Sequence, residues 1–198
     1  MNIRFYLNEG RRCAQTAIKS VVGRNVSYEI LDSLTGRRTG EITTPVQIAY
    51  ALQQLDVDFV YHVKPLFFQK NSEEIKAQSL DEFGKENCDK TNFEFIQKAR
   101  IGLLKSGVCF PTNVLNLTRM SSLIENGRTP ICLVNYDLFV QRENNKNGHY
   151  ILVHEIGKDF ARILDSGPCD ASADKKISRE IFEQSLMQTP IDYGCVFV

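Results

Sequence analysis

The sequence of 198 residues predicts an α+β fold, in which a helical N-terminal part packs on a mostly antiparallel β-sheet. Two observations predict it. Apolar residues at helical spacing dominate the first part of the chain, and runs rich in β-branched and aromatic residues dominate the last third. Because the helices come first and the strands follow, an α+β arrangement is favoured. We expect a single domain over residues 1–198.

The first elements surround a cysteine. Residues 3–7 are predicted to form a short strand. The chain then turns at Gly10, and an apolar stripe at helical spacing predicts a helix that begins at Cys13 and ends at Gly23. A second, shorter helix is expected over residues 28–34.

The next elements complete the helical part. Thr44 as N-cap and Pro45 at the first helical position predict a third helix. Residues 57–63 are predicted to form a strand. Charged, helix-like sequence over residues 69–106 predicts one or two helices, which belong to a helical insertion over about residues 66–112.

Strand signals dominate from there on. After a helix that Thr118 caps, strands are expected over residues 130–136, 149–156 and 160–164, and the last two form a hairpin. The remaining predicted elements are a helix over residues 178–187, capped by Ser178, and a final strand over residues 193–198.

The composition is that of an ordinary soluble protein, with 42% hydrophobic and 24% charged residues. Lys+Arg and Asp+Glu both number 24, so the net charge is zero and gives no reason to expect a nucleic acid or an anionic membrane as partner. No apolar run is long enough to span a bilayer, and the N-terminus lacks a signal peptide core. The six scattered cysteines form no CxxC pair. We therefore expect a cytoplasmic protein, or one delivered into a host cytosol as an effector, with reduced thiols and neither metal nor cofactor.

Cys13 is the candidate nucleophile. At the first turn of a helix its thiol faces the positive end of the helix dipole, and Arg11 and Arg12 are its neighbours. Both effects favour the reactive thiolate. The alternative is that Cys13 is a buried structural cysteine, which acts as a small hydrophobic residue.

His149 is the candidate general base. It follows a polar loop and Gly148, so its ring lies at the end of a strand where a substrate has room. His62 lies within an apolar strand and is expected to be structural or at the surface. His154 lies five residues beyond His149, which places the two rings on opposite faces of the strand and unable to share a metal.

Asp165 is the candidate residue to orient His149. A three-residue loop over residues 157–159 would pair Ile151 with Asp165 and place Asp165 on the face of His149. A two-residue loop would place it on the opposite face, so the hypothesis requires the longer loop or a bulge. The alternative is that Asp165 belongs to an ordinary turn.

An oxyanion hole would complete such a site. The backbone N–H of Cys13 is one candidate donor and the side-chain amide of Asn8 is the other. Gln15 is a rival, but its position in the helix directs it away from Cys13. Asn8 could instead serve only to form the turn.

On these residues the chain resembles the C39-like branch of the papain-like cysteine peptidases. The resemblance implies that Cys13 is the nucleophile, His149 the general base and then acid, Asp165 the orienting residue and Asn8 the oxyanion amide. Three departures are Ala14 in place of glycine, Asn8 in place of the longer glutamine, and Ser-Gly-Pro directly after Asp165. The matching stretches are residues 8–19, 43–45, 134–136, 148–153 and 163–168.

The resemblance implies a papain-like thiol hydrolase that cleaves a peptide or related amide bond in a peptide or protein substrate. Two alternatives stay open: an acyltransferase with the same three residues, and a catalytically silent C39-like binding module. We expect the pocket walls to come from residues 66–112 and 137–147.

Overall fold

The computed structural model describes residues 3–23, 25–142, 147–167 and 171–198, which form helices around one β-sheet. The helices are α1 (Cys13–Val22), α2 (Tyr28–Thr35), α3 (Pro45–Gln54), α4 (Ser72–Asp89), α5 (Phe93–Lys105), α6 (Leu117–Glu125), α7 (Tyr136–Phe139) and α8 (Arg179–Ser185), with a 3-10 helix at Pro65–Phe68. The strands are β1 (Val60–Val63), β2 (Pro130–Asn135), β3 (Gly148–Ile156), β4 (Phe160–Asp165), β5 (Ser172–Ser178) and β6 (Asp192–Phe197).

The sheet has the strand order β1-β6-β2-β3-β4-β5, and all its neighbouring strands pair antiparallel. The α+β prediction is therefore correct. The prediction of a hairpin between β3 and β4 is correct too. The helix that begins at Cys13 and the one that Ser178 caps are also present, since Ser178 accepts a hydrogen bond from the N–H of Ile181 at 3.1 Å.

The helix that follows Thr44 starts as the sequence predicts. Thr44 and Gln47 form a capping box, and Pro45 occupies the first turn, where its missing N–H has no helical partner to lose. The preceding helix α2 ends at Gly36, which has a φ of 63° and so adopts the left-handed conformation that favours glycine.

Two sequence predictions are wrong, and one strand was missed. Residues 3–7 form no strand; they run beside α1, where the N–H of Arg4 donates to the carbonyl of Ser20. Asn116, rather than Thr118, caps α6 and accepts a hydrogen bond from the N–H of Arg119 at 2.9 Å. Strand β5 was not predicted, because this edge strand carries charged side chains and lacks the apolar alternation that marks a half-buried strand.

Alternation along the strands builds one apolar layer on each face of the sheet. Successive residues such as Ile131 and Cys132, or Leu152 and Val153, belong to different layers, as the two-residue period of a strand requires. Helices α1 to α5 contribute to the layer on the first face, and α6 and α8 to the layer on the second. Among the described residues, no helix is both long and apolar enough to cross a membrane.

Candidate active site

The nucleophile turn, defined as residues 8–12, delivers Cys13 to the start of α1. Gly10 and Arg11 have φ values of 63° and 60°, so two consecutive residues adopt the left-handed conformation. Such a conformation is unfavourable for a non-glycine residue such as Arg11 and needs support from its surroundings. Part of that support comes from Asn8, whose Oδ1 accepts a hydrogen bond from the N–H of Arg12 at 2.7 Å.

Two arginines and one carboxylate stabilise this turn through ion pairs and hydrogen bonds. Asp32 in α2 pairs with Arg12 at 2.9 Å and with Arg37 at 3.4 Å. Arg37 also donates to the carbonyl oxygens of Gly10 and Arg11, at 3.3 and 3.4 Å. Arg12 is thus engaged by a carboxylate.

The β3–β4 hairpin positions the other half of the site. Its loop contains only Lys158 and Asp159, since the N–H of Gly157 donates to the carbonyl of Phe160 at 2.8 Å. Of the two alternatives that the sequence left open, the three-residue loop is therefore not formed. The alternative in which a bulge corrects the register is right, because the register shifts by one residue around His154.

The bulge brings His149 and Asp165 to the same face of the hairpin. Beyond the bulge Leu152 pairs with Leu164, which puts Asp165 opposite Ile151 and diagonal to His149. His149 Nε2 lies 2.9 Å from Asp165 Oδ1. The same oxygen accepts the N–H of Gly167 at 2.8 Å, and Lys175 Nζ lies 3.6 Å from Oδ2.

Cys13 and His149 interact: the ring of His149 lowers the pKa of the Cys13 thiol, and the thiol helps to raise the pKa of His149. Because Nε2 faces Asp165, the ring nitrogen that faces the thiol is Nδ1. The backbone N–H groups of Ala14 and Tyr150 also favour the thiolate of Cys13 and lower its pKa. His149 thus interacts with both Cys13 and Asp165.

The pKa values of the three groups follow from these interactions. Burial raises the pKa of the Cys13 thiol, but the hydrogen bond and positive charge of His149 outweigh it, and the pKa is lowered. Burial lowers the pKa of His149, but the hydrogen bonds to Asp165 and Cys13 prevail and raise it to about 9. Burial raises the pKa of Asp165, and its bond to His149 again prevails and lowers it. These shifts favour the thiolate of Cys13, the imidazolium of His149 and the carboxylate of Asp165. His149, rather than the arginines that the sequence suggested, supplies the charge that favours the thiolate.

Two further residues contact the His149–Asp165 pair, and neither was assigned a role from the sequence. The Tyr136 ring meets the imidazole of His149 edge-on, with centroids 4.9 Å apart. Gly167 approaches so closely that an added Cβ would lie 2.7 Å from Asp165 Oδ1 and 3.4 Å from His149 Nε2. A glycine two residues after a candidate catalytic aspartate is the only sequence signal that could have pointed to this contact.

A backbone hydrogen bond joins the two halves of the site. The N–H of Asn8 donates to the carbonyl of Ser166 at 3.1 Å. It links the nucleophile turn directly to the residue that follows Asp165, so that the thiol and the carboxylate are positioned by one continuous framework.

The candidate oxyanion donors lie beside the thiol. The side-chain oxygen of Asn8 accepts the hydrogen bond from the N–H of Arg12, so the amide Nδ2 is directed away from that bond. Asn8 also lines the cleft. Cys13 is the first residue of α1, where an N–H group has no acceptor within the helix. Gln15 is buried and donates to the hydroxyls of Thr35 and Thr43 at 2.9 and 3.0 Å, which directs its amide away from a substrate.

A cleft of about 650 Å³ opens in front of Cys13 and His149. Its volume falls in the range of small-molecule and peptide side-chain pockets. Both segments that the sequence predicted as pocket walls contribute residues. Helix α4 provides Ile75, Ser79, Phe83 and Asn87, and the other wall includes Asp137, Arg142 and Asn147.

The other histidines lie outside this arrangement. His62 is fully buried in β1 and its ring meets Phe197 edge-on at 6.0 Å, which fits the predicted structural role. Within the four described ranges, no group of three or more His, Cys, Asp or Glu side chains is arranged to hold a metal ion.

Comparison with known proteins adds little. No protein-family model and no curated protein sequence matches the chain. The chain is similar to a solved structure, the peptidase domain of Streptococcus ComA, a bi-functional ABC transporter involved in a quorum-sensing pathway. The identity is 13%, the match covers 100% of this chain and 97% of that one, and the TM-score is 0.49. A likeness at this level carries no argument about function, so the assignment depends on the side chains of the site.

Proposed function

We propose that the chain is a C39-like thiol hydrolase that cleaves a peptide or related amide bond through an acyl-enzyme formed on Cys13. The observation that carries the proposal is the grouping of three side chains: Cys13 and His149 line one cleft and shift each other's pKa, and His149 Nε2 lies 2.9 Å from Asp165 Oδ1. A nucleophile, a base and a group that orients the base are the parts that acyl transfer requires.

The first half of the reaction forms the acyl-enzyme. The Cys13 thiolate attacks the carbonyl carbon of the scissile bond, and the carbonyl oxygen becomes an oxyanion between the Cys13 N–H and the Asn8 amide. His149, protonated at Nδ1, gives this proton to the leaving nitrogen as the C–N bond breaks. Asp165 keeps the ring oriented and stabilises its positive charge.

The second half regenerates the thiol. His149, now neutral, accepts a proton from a water molecule, which attacks the thioester carbonyl and releases the acid. If an amine replaces water at this point, the same residues perform acyl transfer. The products distinguish the two outcomes.

The experiment is a cleavage assay on a mixed peptide library, read by mass spectrometry, with the native chain compared with Cys13→Ala. Cys109→Ala, which changes an exposed cysteine outside the cleft, is the matched control. We expect new termini with the native chain and the control, and none with Cys13→Ala. Peptides capped by an added amine would indicate transfer, and equal cleavage by Cys13→Ala would refute the proposal.

A second measurement does not depend on finding a substrate. Iodoacetamide at about pH 6 reacts with activated thiolates, while ordinary thiols stay protonated and react slowly. We expect Cys13 to be alkylated well before the exposed Cys109. Alkylation of Cys109 first would mean that Cys13 is not activated, which would favour a silent binding module.

A further inference from the structure

Two cysteines face each other on neighbouring strands of the sheet. Cys132 in β2 and Cys195 in β6 are direct partners in the antiparallel ladder, and their sulfur atoms are 3.1 Å apart. Both side chains are buried in the apolar layer that α6 and α8 cover. Neither residue takes part in the proposed reaction.

The ladder itself sets this approach. Thr129 and Val198 exchange both backbone hydrogen bonds, at 2.7 and 3.0 Å, so they form a hydrogen-bonded pair. Such pairs alternate with non-hydrogen-bonded pairs along an antiparallel ladder. Cys132 and Cys195 lie three pairs further on and are therefore a non-hydrogen-bonded pair. In such a pair the Cα atoms are about 4.5 Å apart, within the range that a disulfide spans.

A small oxidant has a place from which to reach the pair. A pocket of about 190 Å³ is lined by Cys195. Cys132 is not among the lining residues of this pocket, so Cys195 is the sulfur that meets the oxidant first. The other residues of this pocket include Leu115, Leu117, Met120, Leu186 and Tyr193.

We propose that Cys132 and Cys195 form a reversible oxidation site, which hydrogen peroxide converts into a cross-strand disulfide. The Cys195 sulfur attacks one peroxide oxygen, the O–O bond breaks, and a water molecule and a sulfenic acid result. The Cys132 sulfur then attacks the Cys195 sulfur, the S–O bond breaks, and a second water leaves. Two thiols thus supply the two electrons that reduce one peroxide to two waters.

The bond would tie together two neighbouring strands that are far apart in sequence. Cys132 and Cys195 are separated by 63 positions, so the disulfide closes a long loop in the unfolded chain. A cross-link of this length restricts the unfolded chain and stabilises the fold. We expect the oxidised chain to melt on the order of 10 °C higher than the reduced chain.

The test uses the full chain with Cys13→Ala, so that the reactive nucleophile does not consume the oxidant. The chain is treated with hydrogen peroxide, unfolded, alkylated with iodoacetamide and digested. We expect the peptides of Cys132 and Cys195 to be recovered linked, and to separate after dithiothreitol. Recovery of both cysteines alkylated, or a link from either to another cysteine, overturns the proposal.

A matched variant checks the melting shift. Cys132→Val keeps an apolar side chain of similar size and removes one of the two sulfurs. We expect peroxide to raise the melting temperature of the Cys13→Ala chain and to leave that of the Cys13→Ala, Cys132→Val chain unchanged. A shift that persists without Cys132 would assign the stabilisation elsewhere and refute the proposal. Neither result depends on whether the chain is a hydrolase.

Discussion

The two halves of the candidate site are built by different means. His149 and Asp165 are buried, and the β3–β4 ladder with its bulge fixes their relative position. Cys13 is partly exposed and depends on a turn with two left-handed residues. That turn is held by Asn8 and by ion pairs whose side chains are partly open to water.

The difference determines how each half responds to change. A ladder has discrete registers, and a slip of one residue moves every side chain to the other face. Partly exposed ion pairs contribute about 1 kcal/mol or less each and can be lost one at a time. Changes in the β3–β4 hairpin should therefore abolish the interaction of His149 with Cys13 and Asp165. Changes in the residues that support the nucleophile turn should weaken this interaction gradually.

The largest effect is expected for His149→Ala. The variant removes the group that favours the thiolate and the acid that protonates the leaving amine. We expect peptide cleavage to fall by about 10³–10⁴-fold, as general acid–base catalysis and a triad base contribute. The measurement is kcat/KM on a peptide that the native chain cleaves, with His154→Ala as the matched control. Equal losses in the two variants would contradict an assigned role for His149.

Asp165→Asn should shift the pH profile as well as the rate. The pKa of His149 is about 9 because Asp165 and Cys13 hold its charged form. His149 must be protonated to act as the acid, so activity is lost as pH rises through that value. Without the carboxylate the pKa of His149 falls, and the alkaline limb of kcat/KM moves to lower pH.

The rate of Asp165→Asn should drop by about 10²–10⁴-fold near neutral pH. Asp174→Asn is the control, since Asp174 pairs with Arg162 on the exposed side of the same hairpin. An unchanged alkaline limb in Asp165→Asn would show that Asp165 does not set the charge of His149.

Gly167→Ala should damage the same pair with a single methyl group. Its Cβ would lie 2.7 Å from Asp165 Oδ1, closer than a carbon atom tolerates, so the carboxylate must move away from His149. We expect kcat/KM to fall by about 10–100-fold, because small misplacements of this kind are costly. Gly157→Ala is the control: it crowds the Phe160 ring at the far end of the hairpin, so it should lower stability and leave the pH profile unchanged.

Much of the fold could be predicted because local signals agreed with tertiary packing. The capping box at Thr44 is satisfied by the residues beside it, and the continuous apolar run of β3 indicates a buried strand by itself, so both are readable without the fold. Strand β5 was missed for the opposite reason. Its pairing with β4 comes from a neighbour in space, and its own charged sequence gives no apolar alternation.

The site was predictable in its residue types and less so in its geometry. Cys13, His149 and Asp165 were marked by a helix start, a strand end and a hairpin. The register that brings His149 next to Asp165 depends on a bulge at His154, and no local sequence feature predicts this bulge. Likewise Asp32 lies in another helix, so its ion pairs with Arg12 and Arg37 could not be inferred from the residues around Cys13.

Arg37→Met should produce the smallest effect and test the graded behaviour of the helical half. The variant removes the hydrogen bonds to the carbonyls of Gly10 and Arg11, and one of the two ion pairs of Asp32. The remaining pair with Arg12 still holds the turn, so we expect a loss of about 2–10-fold, which is the scale of one weak ion pair and its hydrogen bonds.

Alkylation of Cys13 by iodoacetamide is the suitable readout for Arg37→Met, because Arg37 lines the cleft and peptide assays would mix positioning with substrate binding. Added salt should slow alkylation of the native chain toward the rate of the variant, since it screens the remaining pair. Arg38→Met changes the exposed neighbour and serves as control. If Arg37→Met abolished alkylation as completely as His149→Ala, the loss of one contact would disrupt the whole nucleophile turn. The contrast between the two halves of the site would then be wrong.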